Sequence, residues 1–156
     1  MLILNPMSTG EYAAFEGDAI RSYAEENVRC GKWTADSALH ESTRLHHELL
    51  PHGLDTKNHY LFSIVDQEIE GSVGILWFAN IERAGKRIAY VYNLLVHPQY
   101  RRQGYAQKAF VLMEEKVKAL ELSEIALHVF GHNLAAYALY QKLGYIPTNI
   151  NMSKLV

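Results

Sequence analysis

A chain of 156 residues with 49% hydrophobic content is long enough to close one sizeable core and too short for two, so a single domain spanning residues 1–156 is expected. Fifteen Lys and Arg against 17 Asp and Glu leave a formal net charge of -2, which excludes the positive field that would condense a nucleic acid. The longest apolar runs, 88–96 and 135–139, fall well short of the roughly 20 residues of a membrane-spanning helix, so no membrane partner is expected either. The opening Met1-Leu2-Ile3-Leu4-Asn5-Pro6 has neither the basic start nor the cleavage site of a secretory signal, and a cytoplasmic location is expected. The lone cysteine, Cys30, cannot form an internal disulfide and reads as a packing residue.

In chain order, a short strand at 2–4 precedes a helix capped by Ser8 or Thr9, with Glu11 near its positive end and Gly31 stopping it after Cys30. A second helix starts at the cap Thr34, carries Asp36 in its first turn and closes at Pro51 and Gly53. Strands at 60–66 and 72–78 flank the polar 67–71 and read as an antiparallel hairpin. Segment 87–96 is β-rich and apolar on both alternating faces, the pattern of a strand in the middle of a sheet. From 104 to 120, Ala106, Ala109, Phe110, Met113, Val117 and Leu120 recur near a period of 3.6, which specifies an amphipathic helix. A strand at 125–130, a helix at 133–143 capped by Asn133 and ended by Gly144, and a last strand at 150–155 complete the chain. The fold class is α/β (α+β): a mixed sheet of about six to seven strands, antiparallel in the amino-terminal half and parallel at the 87–96 crossover, flanked by about four helices.

Between the 87–96 strand and its helix lies Val96-His97-Pro98-Gln99-Tyr100-Arg101-Arg102-Gln103-Gly104-Tyr105-Ala106. A helix opens with unpaired N–H groups and a partial positive charge, so a turn feeding one directly from a buried strand is an anion site. Gly104 admits close backbone approach, small Ala106 keeps the first turn open, and Arg101 and Arg102 supply charge. The G-x-x-x-x-G-K-[ST] and G-x-G-x-x-G patterns are absent, which disfavours nucleoside triphosphate and NAD. Unaided, these residues specify only a phosphate-bearing ligand, or else a plain strand-to-helix turn.

Leu94-x-Val96-x-Pro98-x-x-Arg101-x-x-Gly104-x-Ala106 resembles the acetyl-coenzyme A signature of the GNAT superfamily. Downstream, Asn133-x-x-Ala136-x-x-Leu139-Tyr140-x-Lys142-x-Gly144-Tyr145 is similar to the superfamily's second conserved segment. The resemblance implies acetyl-CoA as co-substrate. It places pantetheine on the backbone of Leu94, Leu95 and Val96, and the pyrophosphate on Arg102, Gln103, Gly104, Tyr105 and Ala106 with Arg101 beside them. It makes Asn133 a cofactor contact and Tyr140 the acid that protonates the departing thiolate. Asn133, Tyr137 and Tyr140 stand at i, i+4 and i+7, one helical face along which an extended arm can lie.

The implied reaction is attack of a primary amine, on a small molecule or a peptide, upon the thioester in a ternary complex. A lysine-like amine has a pKa near 10.4 and needs a proton acceptor, and the tetrahedral oxyanion needs a donor, assigned to the Leu95 N–H. Where many relatives carry a glutamate on the central strand, this chain has Tyr92, a candidate base or water-positioning group; Glu26 and Glu82, the latter in a loop before that strand, are others, and the base is left open. The implied acceptor pocket involves Tyr23, Glu26, Arg29, Trp33 and segment 54–60. The eight histidines suggest no metal: His46 and His47 are adjacent and point apart on a helix, and His128 and His132 straddle a strand end. A different class of function stays open, a catalytically silent acyl-CoA-binding sensor, as does the choice between monomer and homodimer.

Overall fold

The computed structural model describes residues 1–156. Five strands, β1 (Leu2–Pro6), β2 (His59–Asp66), β3 (Ser72–Arg83), β4 (Lys86–Val96) and β5 (Ile125–Leu127), form one sheet in the order β1-β2-β3-β4-β5. The first four are antiparallel neighbours, and β4 and β5 run parallel through the crossover helix. Four helices cover the sheet: α1 (Thr9–Arg29), α2 (Ala35–Leu49), α3 (Tyr105–Ala119) and α4 (Leu134–Lys142).

Side chains alternate across a strand, and β3 shows what each face buries. Ile75 and Trp77 join Met7, Phe15, Leu50 and Leu61 beneath α1 and α2. Leu76 and Phe78 join Phe62, Ile64, Ala89 and Val91 beneath Ala109, Phe110, Met113 and Val117 of α3. With both faces covered, β3 is buried from Val73 to Ala79, and it, not β4, is the middle strand.

Helix α1 begins with a capping box in which the Ser8 N–H donates to Glu11 Oε2 at 2.8 Å and the Glu11 N–H to Ser8 Oγ at 3.3 Å. Glu11 Oε1 also accepts from Ser63 Oγ at 2.7 Å, which ties the helix start to β2. These hydrogen bonds, that from Ser63 foremost, hold the Glu11 carboxyl below the ordinary carboxylate range. The Ser42 hydroxyl donates to the Ile20 carbonyl at 2.6 Å and locks α2 against α1.

The sheet has fewer strands than the sequence pattern suggests. β5 stops at Leu127, and residues 146–156, expected to contain a strand at 150–155, are exposed throughout and form no ladder within the chain. A strand needs a neighbour for its backbone groups, and none lies beside this segment. β3 runs on to Arg83 and turns into β4 through Ala84 and Gly85, both at positive φ (51° and 74°), a two-residue hairpin turn. Glu82 is therefore on β3 opposite Arg87, not in a loop. Cys30, expected to pack, is exposed.

Candidate active site

The ladder between β4 and β5 is only three pairs long and ends at Val91 opposite Leu127. β4 continues to Val96, held on its other side by β3 through the pairs Trp77–Asn93, Leu76–Leu94, Ile75–Leu95 and Gly74–Val96. At the point of parting the register of β3 and β4 shifts, so that Phe78 faces Val91, Trp77 faces Asn93, and Tyr92 is the extra residue of a bulge. The last turn of β4 thus presents one edge to an opening wedge.

Three observations fix which backbone groups face that wedge. The His97 N–H donates to the Val73 carbonyl at 2.9 Å; the Leu95 carbonyl oxygen lies against Gly74, 2.2 Å from where a Cβ there would stand; and the Val96 carbonyl is turned the other way, accepting from Arg101 Nε at 3.0 Å. N–H and C=O of one residue point to the same side of a strand and alternate along it. Leu95 therefore directs its N–H toward β3, and Leu94 and Val96 face the wedge. The Leu95 amide, expected to be the oxyanion donor, thus points toward β3, and it is the Leu94 amide that points toward the wedge.

Beyond Val96 the chain makes a 3-10 turn at Pro98–Tyr100, then Arg102 and Gly104 both take left-handed φ, 62° and 82°. The amide hydrogens from Arg102 to Gln107 have no backbone acceptor in the chain; the first backbone bond of α3 outside its regular ladder is Lys108 N–H to the Gly104 carbonyl at 3.1 Å. Six consecutive free amides at the mouth of α3 form a concave, positively polarised nest suited to a phosphate group. Tyr105 contributes only its backbone there, because its buried side chain donates to Asp66 Oδ2 at 2.9 Å. That bond raises the Tyr105 phenol, while bonds from the Glu68 N–H and the Tyr105 hydroxyl lower the Asp66 carboxyl. Gln103 donates its amide to the Gln99 carbonyl at 3.2 Å, and Ala106 is half-buried. Arg101, spent on Val96, braces the strand end, whereas the exposed Arg102 is free to reach an anion.

Across the wedge, Asn133 caps α4 with its Oδ1, accepting from the Ala136 N–H at 3.3 Å. Tyr137 accepts from Gln141 at 3.4 Å. Tyr140 packs edge-on against Phe110, ring centroids 5.5 Å apart, and burial raises its phenol above the ordinary tyrosine value. It carries its proton at neutral pH. Tyr145, 5.9 Å from Tyr140, has a buried hydroxyl with no partner in the chain.

On the α1 and α2 side, Tyr92 stacks on Trp77 at 4.7 Å and on His59 at 5.8 Å, and Trp77 Nε1 donates to His59 Nδ1 at 3.0 Å. Burial, then the neighbouring Tyr90, raises the Tyr92 phenol, the opposite of what a base requires. Burial holds His59 below the ordinary histidine value and hence neutral at pH 7. His46 is likewise lowered by burial, against Glu16 and Tyr12, each 3.3 Å away.

Of the four residues expected in the acceptor pocket, three converge. Tyr23 meets Trp33 at 5.5 Å and Phe130 at 6.3 Å, and Glu26 pairs with His132 Nε2. Arg29 is exposed and takes no part in this cluster. Phe130 stacks on His132 at 5.5 Å. Neither was singled out from the sequence for this role; the signal available was their place just before Asn133, on the segment linking β5 to α4. No three His, Cys, Asp or Glu side chains gather as metal ligands.

Residues 21–145 match the model of the Acetyltransferase (GNAT) family. The chain belongs to this family. It is an acetyltransferase, and GNAT enzymes use acetyl-CoA. Two relatives from Bacillus subtilis (strain 168), named as uncharacterized N-acetyltransferases, span it almost end to end. YdgE is 34% identical over 97% of this chain and 96% of its own, and YycN 33% over 98% and 97%. The YycN crystal structure superposes with a TM-score of 0.93 at 32% identity, covering 100% of this chain and 99% of that one. A predicted acetyltransferase of Clostridium acetobutylicum crystallised with acetyl-CoA shares the fold at a TM-score of 0.68 and 15% identity, covering 99% and 96%.

Proposed function

We propose that this GNAT chain, acting as one domain over residues 1–156, transfers the acetyl group of acetyl-CoA to a primary amine by direct attack in a ternary complex. The amine belongs to a small molecule or to a peptide or protein. The observation that supports this reading most is the run of six unpaired amides, Arg102 to Gln107, continuous with the open edge of β4. The nest suits a diphosphate, and the wedge a pantetheine arm led back along Val96 and Leu94.

Within this reading the chemistry divides simply. The amine nitrogen bonds to the thioester carbonyl carbon, the carbonyl oxygen becomes an oxyanion, and the Leu94 N–H, rather than that of Leu95, stabilises it. The C–S bond then breaks, and Tyr140 donates its retained proton to the leaving thiolate. Tyr23, Trp33 and Glu26 receive a cationic amine, and His132, bonded to Glu26, takes one proton before attack; the second nitrogen-bound proton, lost as the amide forms, returns through water to the Tyr140 oxygen. Tyr92 positions the acceptor or a water as a neutral hydroxyl. Fixing both substrates supplies much of the remaining acceleration.

The test is thiol release from acetyl-CoA across a panel of amines and peptides, with products identified by mass. Amine-dependent release of thiol supports transfer. Tight acetyl-CoA binding with no release on any acceptor would instead favour a cofactor sensor.

A further inference from the structure

The six free amides that open α3 do not lie on a relaxed backbone. Arg102 holds φ at 62° and Gly104 at 82°, and a left-handed φ at a residue with a side chain is unfavourable unless its surroundings impose it. Gln103, at an exposed position, bonds back to the Gln99 carbonyl at 3.2 Å. The stronger restraints lie at the two ends of the loop. Upstream, Arg101 Nε donates to the Val96 carbonyl at 3.0 Å. Downstream, Tyr105, the first residue of α3, donates its hydroxyl to Asp66 Oδ2 at 2.9 Å.

The acceptor of the downstream clamp belongs to neither the loop nor the helix. Asp66 is the last residue of β2, 39 positions before Tyr105. Its other oxygen, Oδ1, accepts from the Glu68 N–H at 3.2 Å, which fixes the carboxylate within the turn from β2 to β3. The tyrosine is equally confined: it is 8% exposed, packs edge-on against Tyr100 with ring centroids 6.3 Å apart, and has Lys108 Nζ 5.8 Å from its ring. Its own N–H is one of the six amides. A carboxylate does not attract a phosphate, so Asp66 serves this site by holding the tyrosine rather than by touching an anion. Amides already converged on one point bind an anion more tightly than amides that must first be ordered.

We infer that Asp66 is a positioning residue for acetyl-CoA: through the Tyr105 phenol it keeps the amides of Arg102 to Gln107 converged before the cofactor arrives. The inference rests on the proposed reading of that nest as the diphosphate site. It gives the end of β2, which meets no part of the cofactor in that reading, a share in cofactor affinity, and it predicts that this affinity depends on a side-chain bond outside the loop-and-helix motif.

Calorimetric titration of the full chain with acetyl-CoA tests this, with thermal midpoints recorded on the cofactor-free proteins. Tyr105→Phe keeps the ring and removes the donor, Asp66→Ala removes the acceptor, and Asp66→Asn keeps an oxygen in its place. Tyr105→Phe and Asp66→Ala are each expected to weaken acetyl-CoA binding about tenfold, within what loss of a hydrogen bond to a charged group allows. The double variant Tyr105→Phe, Asp66→Ala is expected to bind no more weakly than either single variant, because all three lack the same bond. Asp66→Asn is expected to restore binding to within about threefold of wild type, since the phenol regains an acceptor. Lower midpoints with unchanged affinity make the bond merely structural and overturn the proposal. So do losses that add in the double variant, or an Asp66→Asn variant as weak as Asp66→Ala. Wild-type protein that binds no acetyl-CoA overturns the diphosphate-site reading and the positioning role with it, whereas wild-type binding matched by Tyr105→Phe and Asp66→Ala overturns the positioning role alone.

Discussion

The carbonyl oxygen of Leu95 sits in the space that a side chain at Gly74 would fill, 2.2 Å from an ideal Cβ. This contact is backbone on backbone, so it cannot be relieved by swinging a flexible group aside. It marks how closely the end of β4 lies upon β3, with the Leu95 carbonyl turned toward β3 while Leu94 and Val96 face the wedge. Gly74→Ala is expected to displace this strand end, at a stability loss of about 1–3 kcal/mol, and to weaken acetyl-CoA binding. Urea unfolding and calorimetry read the two effects separately.

Tyr140→Phe keeps the packing on Phe110 and removes the donor. A general acid contributes on the order of 100-fold or more, so kcat is expected to fall by about that factor while acetyl-CoA affinity stays within about twofold, as loss of a step in the transition state requires. Unchanged turnover removes Tyr140 as the acid.

At Gly104 the φ of 82° is strained for any other residue, but nothing lies within 4 Å of a Cβ there. Gly104→Ala is therefore expected to cost only the backbone term of about 1–2 kcal/mol. Gly104→Asp adds a carboxylate to the amide nest. It is expected to weaken acetyl-CoA binding by an order of magnitude or more beyond the alanine variant, as measured by calorimetry in low and high salt.

Burial lowers three histidines, His46, His59 and His128. Below the ordinary value near 6.5 the unfolded chain binds protons that the folded chain refuses, so stability rises with pH across that window. The contribution is fully present above about pH 6.5 and is lost as pH falls through the lowered folded values. The thermal midpoint is expected to hold from pH 8 to 7 and to decline toward pH 5. His46→Gln is expected to flatten part of that decline. A midpoint that rises on acidification contradicts the assignment.

The pairing of Glu26 with His132 joins α1 to the loop before α4. His132→Gln is expected to lower kcat with little change in KM, and Glu26→Gln is expected chiefly to raise KM for a cationic amine. Equal effects of both variants on kcat and KM would indicate a merely structural pair.

The sequence was most legible where local chemistry is self-contained. The Ser8 cap, the α3 apolar stripe and the Gly104 turn each depend on a few adjacent residues, and each appears where its pattern indicated. Legibility failed where the outcome depends on which strand lies alongside. The alternation in β4 resembles that of a middle strand, yet β5 accompanies only three of its residues. Parity on β4, which turns the Leu94 amide rather than the Leu95 amide toward the wedge, is set by its register with β3 and is invisible to a motif. The cluster of Tyr23, Trp33, Phe130 and His132 joins residues about a hundred positions apart, and no spacing rule links them. The apolar pattern at 150–155 is real, but a strand is a relation between two segments, and this chain offers that one no partner.

The central claim is that the amides opening α3 and the outward edge of β4 hold acetyl-CoA, and amide-resolved NMR titration tests it most directly. The account predicts that the largest shifts on adding acetyl-CoA fall on the amides of Arg102 to Gln107 together with Leu94 and Val96, with Leu95 little moved by comparison. Saturable binding that leaves Arg102 to Gln107 unperturbed would contradict it.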